Sequence, residues 1–307
     1  MAANANLHKA KDAKNDEFYT QLTDVSKELM HYKQHFKDKI VLCNCDDPTW
    51  SAFWKYFHLN FEQLGLKKLI STHYDRYKPT YKMEYTGGDD NDIEIGVKTP
   101  LEGNGDFRNA ECIELLKESD IVVTNPPFSL FREYVAQLIE YEKKFLIIGN
   151  KNALTYKEIF EHLKDNEVWI GFGSPSEFNT PEGVTKKING LSRWFTNLDH
   201  SLRHEKLTLW KRYSPEEYDV FDELQNVINV DKVSDIPVDY DGFIGVPITF
   251  VDKYNPEEFE IIDAINRYTD CDYFGVNADV QRRHSHCCNI NGKATYKRIV
   301  IRRKAGV

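Results

Sequence analysis

Apolar positions follow two alternating patterns along the first two-thirds of the chain. At helical spacing they recur over about residues 23–36, 50–64, 110–117 and 131–139, which predicts helices. Short apolar runs between these segments predict buried strands at 40–43, 67–72, 120–124, 145–149, 167–171 and 193–197. Such alternation predicts an α/β fold with parallel strands joined by right-handed crossovers.

Two regions depart from this alternation. Residues 81–86 and 93–98 flank a Gly-Gly-Asp-Asp turn, which predicts an inserted hairpin. After about residue 200, prolines interrupt short apolar pieces and the helical spacing is lost. We therefore predict a sheet domain over residues 1–199 and a smaller, mixed C-terminal lobe over 200–307.

The composition is that of an ordinary globular protein. The 307 residues are 41% hydrophobic and 29% charged, with charges of both signs. No apolar run approaches the roughly 20 residues that cross a bilayer, and the first 20 residues do not resemble a signal peptide. We expect a cytoplasmic protein without membrane partners, whose six cysteines remain thiols.

Four residues near the C-terminus raise the alternative of a zinc site. They are His284, His286, Cys287 and Cys288. A second ligand pair at the usual spacing is missing, so a polar loop is the favoured interpretation and no metal is predicted.

The charge distribution bears on a nucleic-acid partner. The net charge of −9 argues against one, but affinity for phosphates depends on local charge. Residues 280–307 contain eight lysines and arginines and no acidic residue. A basic tail is also a common solvated terminus, so this observation only supports a nucleic-acid partner.

The strongest chemical signal is Asn125-Pro126-Pro127-Phe128, between a predicted strand and a predicted helix. An open α/β sheet presents its binding crevice at this kind of position. Two prolines fix the backbone and lack N–H donors, so the Asn125 amide and the Pro126 carbonyl are suited to accept hydrogens from a planar NH2 group. Phe128 offers a face for base stacking. The alternative is a strand-ending turn with proline stops.

With this motif the chain resembles the EcoRI-type adenine-specific DNA methyltransferases, within the amino-methyltransferases that use S-adenosylmethionine. The resemblance covers nearly the whole chain. It implies a Rossmann-like sheet with helices on both faces, a methyl donor, double-stranded DNA as substrate and a separate cognate restriction nuclease as a candidate partner. The residues that carry it include Asp16–Thr20, Cys43–Pro48, Gly105–Arg108 and Ser119–Tyr134.

The resemblance also assigns cofactor contacts near the methionine end of the donor. Phe18, Tyr19 and Thr20 match a contacting segment, with a helix-start motif as the alternative. Asn44, Asp46 and Asp47 occupy the first strand-to-loop turn, where the family pattern is rich in glycine and this chain has none. N-capping of the next helix is an equally weighted alternative for the two aspartates.

Three further residues are assigned to the nucleoside end of the donor. Asp75 is the nearest carboxylate to the end of the second strand and would accept bonds from the ribose hydroxyls, unless it is a solvated loop residue. Asp106 matches the position that contacts the adenine amino group, and Phe107 would pack on that ring. Capping of the helix near Ala110 is the alternative for Asp106.

These assignments predict methyl transfer to the N6 amino group of an adenine flipped out of the duplex. The reaction is a direct displacement from a sulfonium, which needs alignment more than acid–base catalysis. Three rivals stay open: methylation of an RNA base, methylation of a protein glutamine, and a catalytically silent DNA-binding relative.

Overall fold

The computed structural model divides the chain into two compact units. The first comprises Met1–Ala153 and Val168–His200, and the second comprises Leu154–Glu167 and Ser201–Val307. The residues that it describes are 19–45, 47–78, 80–88, 92, 95–179, 185–187, 190–222, 224, 226–265, 289–304 and 306. The predicted lobe starts at residue 200 and the long segment of the second unit at Ser201, but this unit also includes Leu154–Glu167, which the sequence assigned to the first domain.

Six α-helices are formed by the described residues. Their bounds are α1 Leu22–Leu29, α2 Ala52–Leu59, α3 Phe61–Leu64, α4 Ala110–Glu118, α5 Phe131–Glu140 and α6 Lys157–Lys164.

The strands of the first unit form an eight-stranded and a three-stranded sheet. Their bounds are β1 Tyr19–Thr20, β2 Ile40–Cys43, β3 Lys68–Thr72, β4 Tyr81–Tyr85, β5 Val97–Pro100, β6 Ile121–Thr124, β7 Lys144–Asn150, β8 Trp169–Ile170, β9 Glu177–Asn179, β10 Thr185–Lys187 and β11 Ser192–Thr196.

The large sheet has the order β5-β4-β3-β2-β6-β7-β11-β8. Its four central strands, β3, β2, β6 and β7, are parallel, and the pairs outside them are antiparallel. The predicted hairpin is formed by β4 and β5, which extend the sheet beyond β3, but its second strand is Val97–Pro100 and not 93–98. The prediction of an α/β fold with parallel strands and flanking helices is confirmed.

Burial explains why the apolar runs became central strands. Every residue of β2 and β6 is buried, as expected for parallel strands covered on both faces. The helices contribute large aromatic side chains to this core, among them Phe53, Trp54 and Phe57 of α2.

Two predicted helices end differently from the expectation. The helix predicted over 23–36 stops at Leu29, and Lys33–His35 forms a separate 3-10 turn. The helix predicted over 50–64 begins only at Ala52 and breaks at Asn60, so Trp50 lies outside it and is exposed. Gly65 ends this region with a left-handed backbone.

The second unit is built around a four-stranded mixed sheet. Its order is β12-β13-β17-β14, and a two-stranded ribbon joins β15 to β16. The bounds are β12 Val227–Asn229, β13 Phe243–Pro247, β14 Phe259–Ile265, β15 Asn289–Ile290, β16 Lys293–Ala294 and β17 Arg298–Arg303.

None of the helices in the described part of the chain combines the length and apolar character that a bilayer-spanning segment needs.

Val122→Ala tests the buried β2–β6 core. Val122 is 0% exposed, so removal of its methyl groups should lower the free energy of unfolding by about 2 kcal/mol. The matched change Val97→Ala, at a residue 67% exposed on the edge strand β5, should cost less than about 0.5 kcal/mol. Denaturant unfolding of both variants measures the difference, and equal losses would contradict the assigned core.

Candidate active site

The candidate site lies where the order of the central strands reverses. β2 lies between β3 on one side and β6 on the other, which makes the β2–β6 boundary the topological switch point. In open α/β sheets, ligands bind outside the carboxyl ends of the strands at this point. Leu42 pairs with Val122, so Asn44 and Asn125 follow these strands at the same edge.

The Asn125-Pro126-Pro127-Phe128 segment forms a well-supported corner after β6. Asn125 is 8% exposed, and Pro126 is also buried. Pro127 is extended, with φ −59° and ψ 125°, and its carbonyl accepts a hydrogen bond from the Leu130 N–H at 3.0 Å. Phe128 starts a 3-10 turn and is half-buried against the main core. The corner is thus held from both sides, by a buried strand and by a turn that leads into α5.

Asn44 joins the loop after β2 to the helix after the corner. Its side chain is 4% exposed, and its Oδ1 accepts a hydrogen bond from the Tyr134 hydroxyl of α5. The Cys45 thiol lies 3.6 Å from the same oxygen. Burial raises the pKa of Tyr134, so its hydroxyl stays a donor.

The missing glycine in this loop has a local explanation. None of the described residues at 44–45 and 47–51 has a positive φ, so the backbone here adopts conformations open to any L-residue. A buried hydrogen bond between side chains fixes this part of the loop.

Asp47 is the centre of a second polar cluster at the same edge. Its Oδ1 accepts bonds from the Thr49 N–H at 2.9 Å, the Thr49 hydroxyl at 2.7 Å and the Tyr81 hydroxyl at 2.8 Å. His73 Nε2 lies 3.7 Å from Oδ2. Burial opposes ionisation of Asp47, but these hydrogen bonds and the interaction with His73 outweigh it, and the pKa is lowered.

The N-capping alternative is wrong for Asp47. The N-cap of α2 is Ser51, whose hydroxyl accepts bonds from the N–H groups of Phe53 and Trp54. Asp46 lies outside the described residues.

The loop with Asp106 and Phe107 is bonded to α5, the helix that follows the corner, and Arg108 makes part of this connection. Arg108 donates to both Asp106 oxygens, at 2.9 Å from Nε and 2.7 Å from Nη2, and lowers the pKa of that carboxyl. Glu133 of α5 accepts from Arg108 at 3.0 Å.

Two further residues of α5 support the Phe107 backbone and ring. The Tyr134 ring meets the Phe107 ring edge-on, with centroids 5.0 Å apart. Gln137 Nε2 donates to the Phe107 carbonyl at 3.2 Å. The N-cap residue of α4 is Asn109, so Asp106 does not occupy the capping position that was its alternative role.

Gly105 brings the Asp106 loop against the end of β3. Its φ is +73°, and a Cβ there would lie 1.9 Å from the His73 carbonyl oxygen. Only glycine allows this approach.

Asp75, the candidate ribose contact, uses its carboxylate within its own turn. Oδ1 accepts bonds from the N–H groups of Tyr77 at 2.8 Å and Lys78 at 3.1 Å. These bonds, led by that of Tyr77, lower its pKa. The structure thus gives Asp75 a local role in the loop after β3.

The candidate methionine-end segment lies partly in the small sheet of the first unit. Phe18 lies outside the described residues, whereas Tyr19 pairs with Asn179 and Thr20 with Phe178. Thr20 is 5% exposed.

Sequence reasoning missed three residues of this edge: His73, Tyr81 and Tyr134. Tyr134 lies within the predicted helix at 131–139 and ends the family-like run Ser119–Tyr134, but nothing in the pattern distinguished its hydroxyl. His73 is the first residue after β3, the position at which polar side chains reach the crevice, and this could have identified it.

The described residues contain no group of three or more histidine, cysteine or acidic side chains placed to hold a metal ion. The alternative zinc cluster at 284–288 lies outside them.

A sheet of this topology with Asn-Pro-Pro-Phe at its switch point has the architecture of a methyltransferase that acts on amino groups. The chain belongs to the family described as adenine-specific methyltransferase EcoRI, whose model matches residues 6–304. It is therefore an adenine-specific DNA methyltransferase, which confirms the prediction from the sequence.

Its relatives match over almost their full lengths. The chain is 44% identical to the Type II methyltransferase M.EcoRI of Escherichia coli, covering 99% of this chain and 98% of the relative. It is 39% identical to M.MpnI of Mycoplasma pneumoniae, covering 98% and 99%, and 37% identical to M.MgeORF184P of Mycoplasma genitalium, covering 97% and 98%. The chain has no significant match among solved structures.

Tyr134→Phe tests the link between α5 and the β2 loop. Loss of the hydroxyl leaves the Asn44 Oδ1 buried without this donor, which should lower the free energy of unfolding by about 1–3 kcal/mol. The matched change Tyr77→Phe removes a hydroxyl from a side chain 74% exposed and should have almost no effect. Thermal and denaturant unfolding measure both, and an unchanged stability of Tyr134→Phe would refute the link.

Proposed function

We propose that the chain transfers a methyl group from S-adenosylmethionine to the N6 atom of an adenine extruded from double-stranded DNA. The observation that carries the proposal is the Asn125-Pro-Pro-Phe corner at the switch point, whose first two residues are buried and which follows the strand next to the one that ends before Asn44. An adenine must leave the base stack to reach such a corner.

The residues at this edge fit S-adenosylmethionine in charge and in the chemistry of their side chains. Asp47 and Asp106 both have lowered pKa values, so each is a carboxylate at neutral pH. The Asp47 carboxylate complements a ligand that carries positive charge on its sulfonium and amino groups, whereas the Asp106 carboxylate is suited to accept from the amino group of the donor's adenine. Phe107 provides an aromatic ring next to Asp106, suited to a purine. When bound, this donor supplies an electrophilic methyl group.

Each candidate residue has a part in holding the donor. Asn44 and Asp47 would hold its amino-acid end, together with Asp46 and the segment Phe18, Tyr19 and Thr20. Asp106 and Phe107 would hold its adenine. Asp75 is the weakest member of the set, because it precedes an exposed loop, whereas Asp106 precedes the buried ring of Phe107.

The corner itself would hold and orient the target base. The Asn125 side-chain carbonyl and the Pro126 main-chain carbonyl accept the two amino hydrogens, which directs the nitrogen lone pair away from them. Pro127 stiffens the turn, and Phe128 stacks on the ring. The main contribution to catalysis is alignment in a rigid site.

The second unit is the candidate for recognition of the DNA sequence. Some of its cations already have internal partners: Arg298 pairs with Asp231 at 2.8 Å, and Arg302 pairs with Glu260 at 2.5 Å. The exposed lysines Lys293, Lys297 and Lys304 are better placed to meet phosphates. A cognate restriction nuclease as a separate partner and a cytoplasmic location belong to the same proposal.

Asn125→Ala tests the role of the corner. We expect methyl transfer to DNA to be abolished, because one acceptor of the amino group is gone, while S-adenosylmethionine binding changes less than about twofold. Transfer of labelled methyl groups to DNA and calorimetric binding measure the two properties.

The matched control for Asn125→Ala is Asn60→Ala. Asn60 lies at the far end of α2, about 12 Å along the helix from the loop after β2, and its variant should methylate normally. Modified-base sequencing of DNA from expressing cells completes the test. Unmodified adenines in the presence of wild-type protein would overturn the proposed function.

Asp106→Ala and Asp75→Ala form a pair that distinguishes a ligand contact from a loop residue. We expect Asp106→Ala to weaken S-adenosylmethionine binding at least about tenfold. Asp75→Ala should alter it less than about threefold, because Asp75 precedes an exposed loop and not a buried ring. Calorimetry on the folded variants measures both, and the reverse order of effects would exchange the two roles.

The pH dependence of binding follows from the same carboxylate. Asp106 has a lowered pKa, so its contribution to binding should persist as the pH falls to about 5 and be lost only below the ordinary aspartate pKa of about 3.9.

A further inference from the structure

The segment that follows β8 leaves the sheet at the edge of the candidate site. β8 is antiparallel to β11, and β11 is antiparallel to β7, so β8 runs in the same direction as β7. Gly171 therefore leaves the sheet at the edge where β2 and β6 also end. The chain then continues to β9, which pairs with β1.

Two carboxylates of α1, one helical turn apart, bind this segment through its backbone. Glu28 Oε1 accepts from the Phe172 N–H at 2.6 Å, and Oε2 accepts from the Gly173 N–H at 2.7 Å. Asp24 Oδ2 accepts from the N–H groups of Ser176 at 2.8 Å and Glu177 at 3.3 Å.

The sequence of the segment is adapted to this contact. A Cβ at Gly171 would lie 2.4 Å from Glu28 Oε1, and one at Gly173 would lie 3.2 Å from Oε2. The Tyr32 hydroxyl also donates to Glu28 Oε1 at 2.9 Å, and the Phe172 ring stacks on His31 with centroids 3.4 Å apart. Residues 172–177 are thereby fastened along α1 from its last turn to its first.

The fastened segment leads directly to the strand pair that carries Thr20. Phe178 of β9 lies opposite Thr20 of β1. Thr20 is buried, and its hydroxyl has no hydrogen-bond partner among the residues that the structure describes. The same holds for the Nε2 of Gln21, the next residue. Two neighbouring buried polar groups of this kind are suited to a ligand that supplies the missing partners.

We propose that Asp24 and Glu28 are positioning residues for the methyl donor, because they fix β9 and, through it, the β1 segment with Thr20 and Gln21 at the edge of the site. The inference rests on the proposed function, since it assigns β1 to the donor site. Neither carboxylate contacts the donor; each acts through the backbone of 172–177.

Asp24→Ala and Glu28→Gln test this role, with Lys27→Ala, an exposed position of the same helix, as the control. Both variants should raise the Kd and KM for S-adenosylmethionine about tenfold. They should retain kcat at saturating donor and the KM for DNA within about twofold. Hydrogen exchange at the Phe172 and Gly173 amides should be faster in Glu28→Gln. Lys27→Ala should match the wild type in every readout.

A merely structural role would give a different pattern: a lower Tm with an unchanged Kd for the donor would overturn the inference. Glu28 is buried, so if Glu28→Gln does not fold, the result for Asp24→Ala decides. Wild-type protein that binds no S-adenosylmethionine would overturn the proposed function and this inference together, whereas normal wild-type binding with unaffected variants would overturn the inference alone.

Discussion

The hydrogen bond from the Tyr134 hydroxyl to Asn44 is the interaction on which the rest of the site depends. It connects the helix after β6 to the loop after β2, the two elements that border the switch point. Because both groups are buried, separating them would leave polar atoms away from water, and this cost keeps the two strand ends in one arrangement. The described residues of this loop have no positive φ and therefore do not require glycine.

α5 connects the Asn125 corner to a second part of the site, the loop with Asp106 and Phe107. The helix starts directly after the Asn125 corner, and three of its residues, Glu133, Tyr134 and Gln137, support the loop with Asp106 and Phe107. The corner proposed to hold the target base and the loop proposed to hold the donor are thus attached to one rigid element. The displacement depends on the alignment of the methyl donor with the target base. Attachment of both binding segments to one helix limits their misalignment.

Much of the sheet was predictable, because fully buried parallel strands appear as continuous apolar runs, as in 121–124. The Asn125 corner was predictable because its residues are consecutive. Other features depend on contacts between distant residues: the Tyr134–Asn44 bond spans 90 positions, and local periodicity carries no information about it. Trp50 fits the helical spacing of its neighbours, yet the helix starts after Ser51, whose side chain caps it.

The division of the chain has a consequence for how the protein is assembled during synthesis. Leu154–Glu167 belongs to the second unit although first-unit sequence lies on both sides of it. Its helix α6 buries Ile159, Phe160 and Leu163. During synthesis, the rest of the second unit is not available to cover this apolar face until the residues after 200 have been made. Neither unit is a continuous stretch of polypeptide. A cut at residue 200 would leave α6 on the N-terminal fragment, separated from the rest of the second unit.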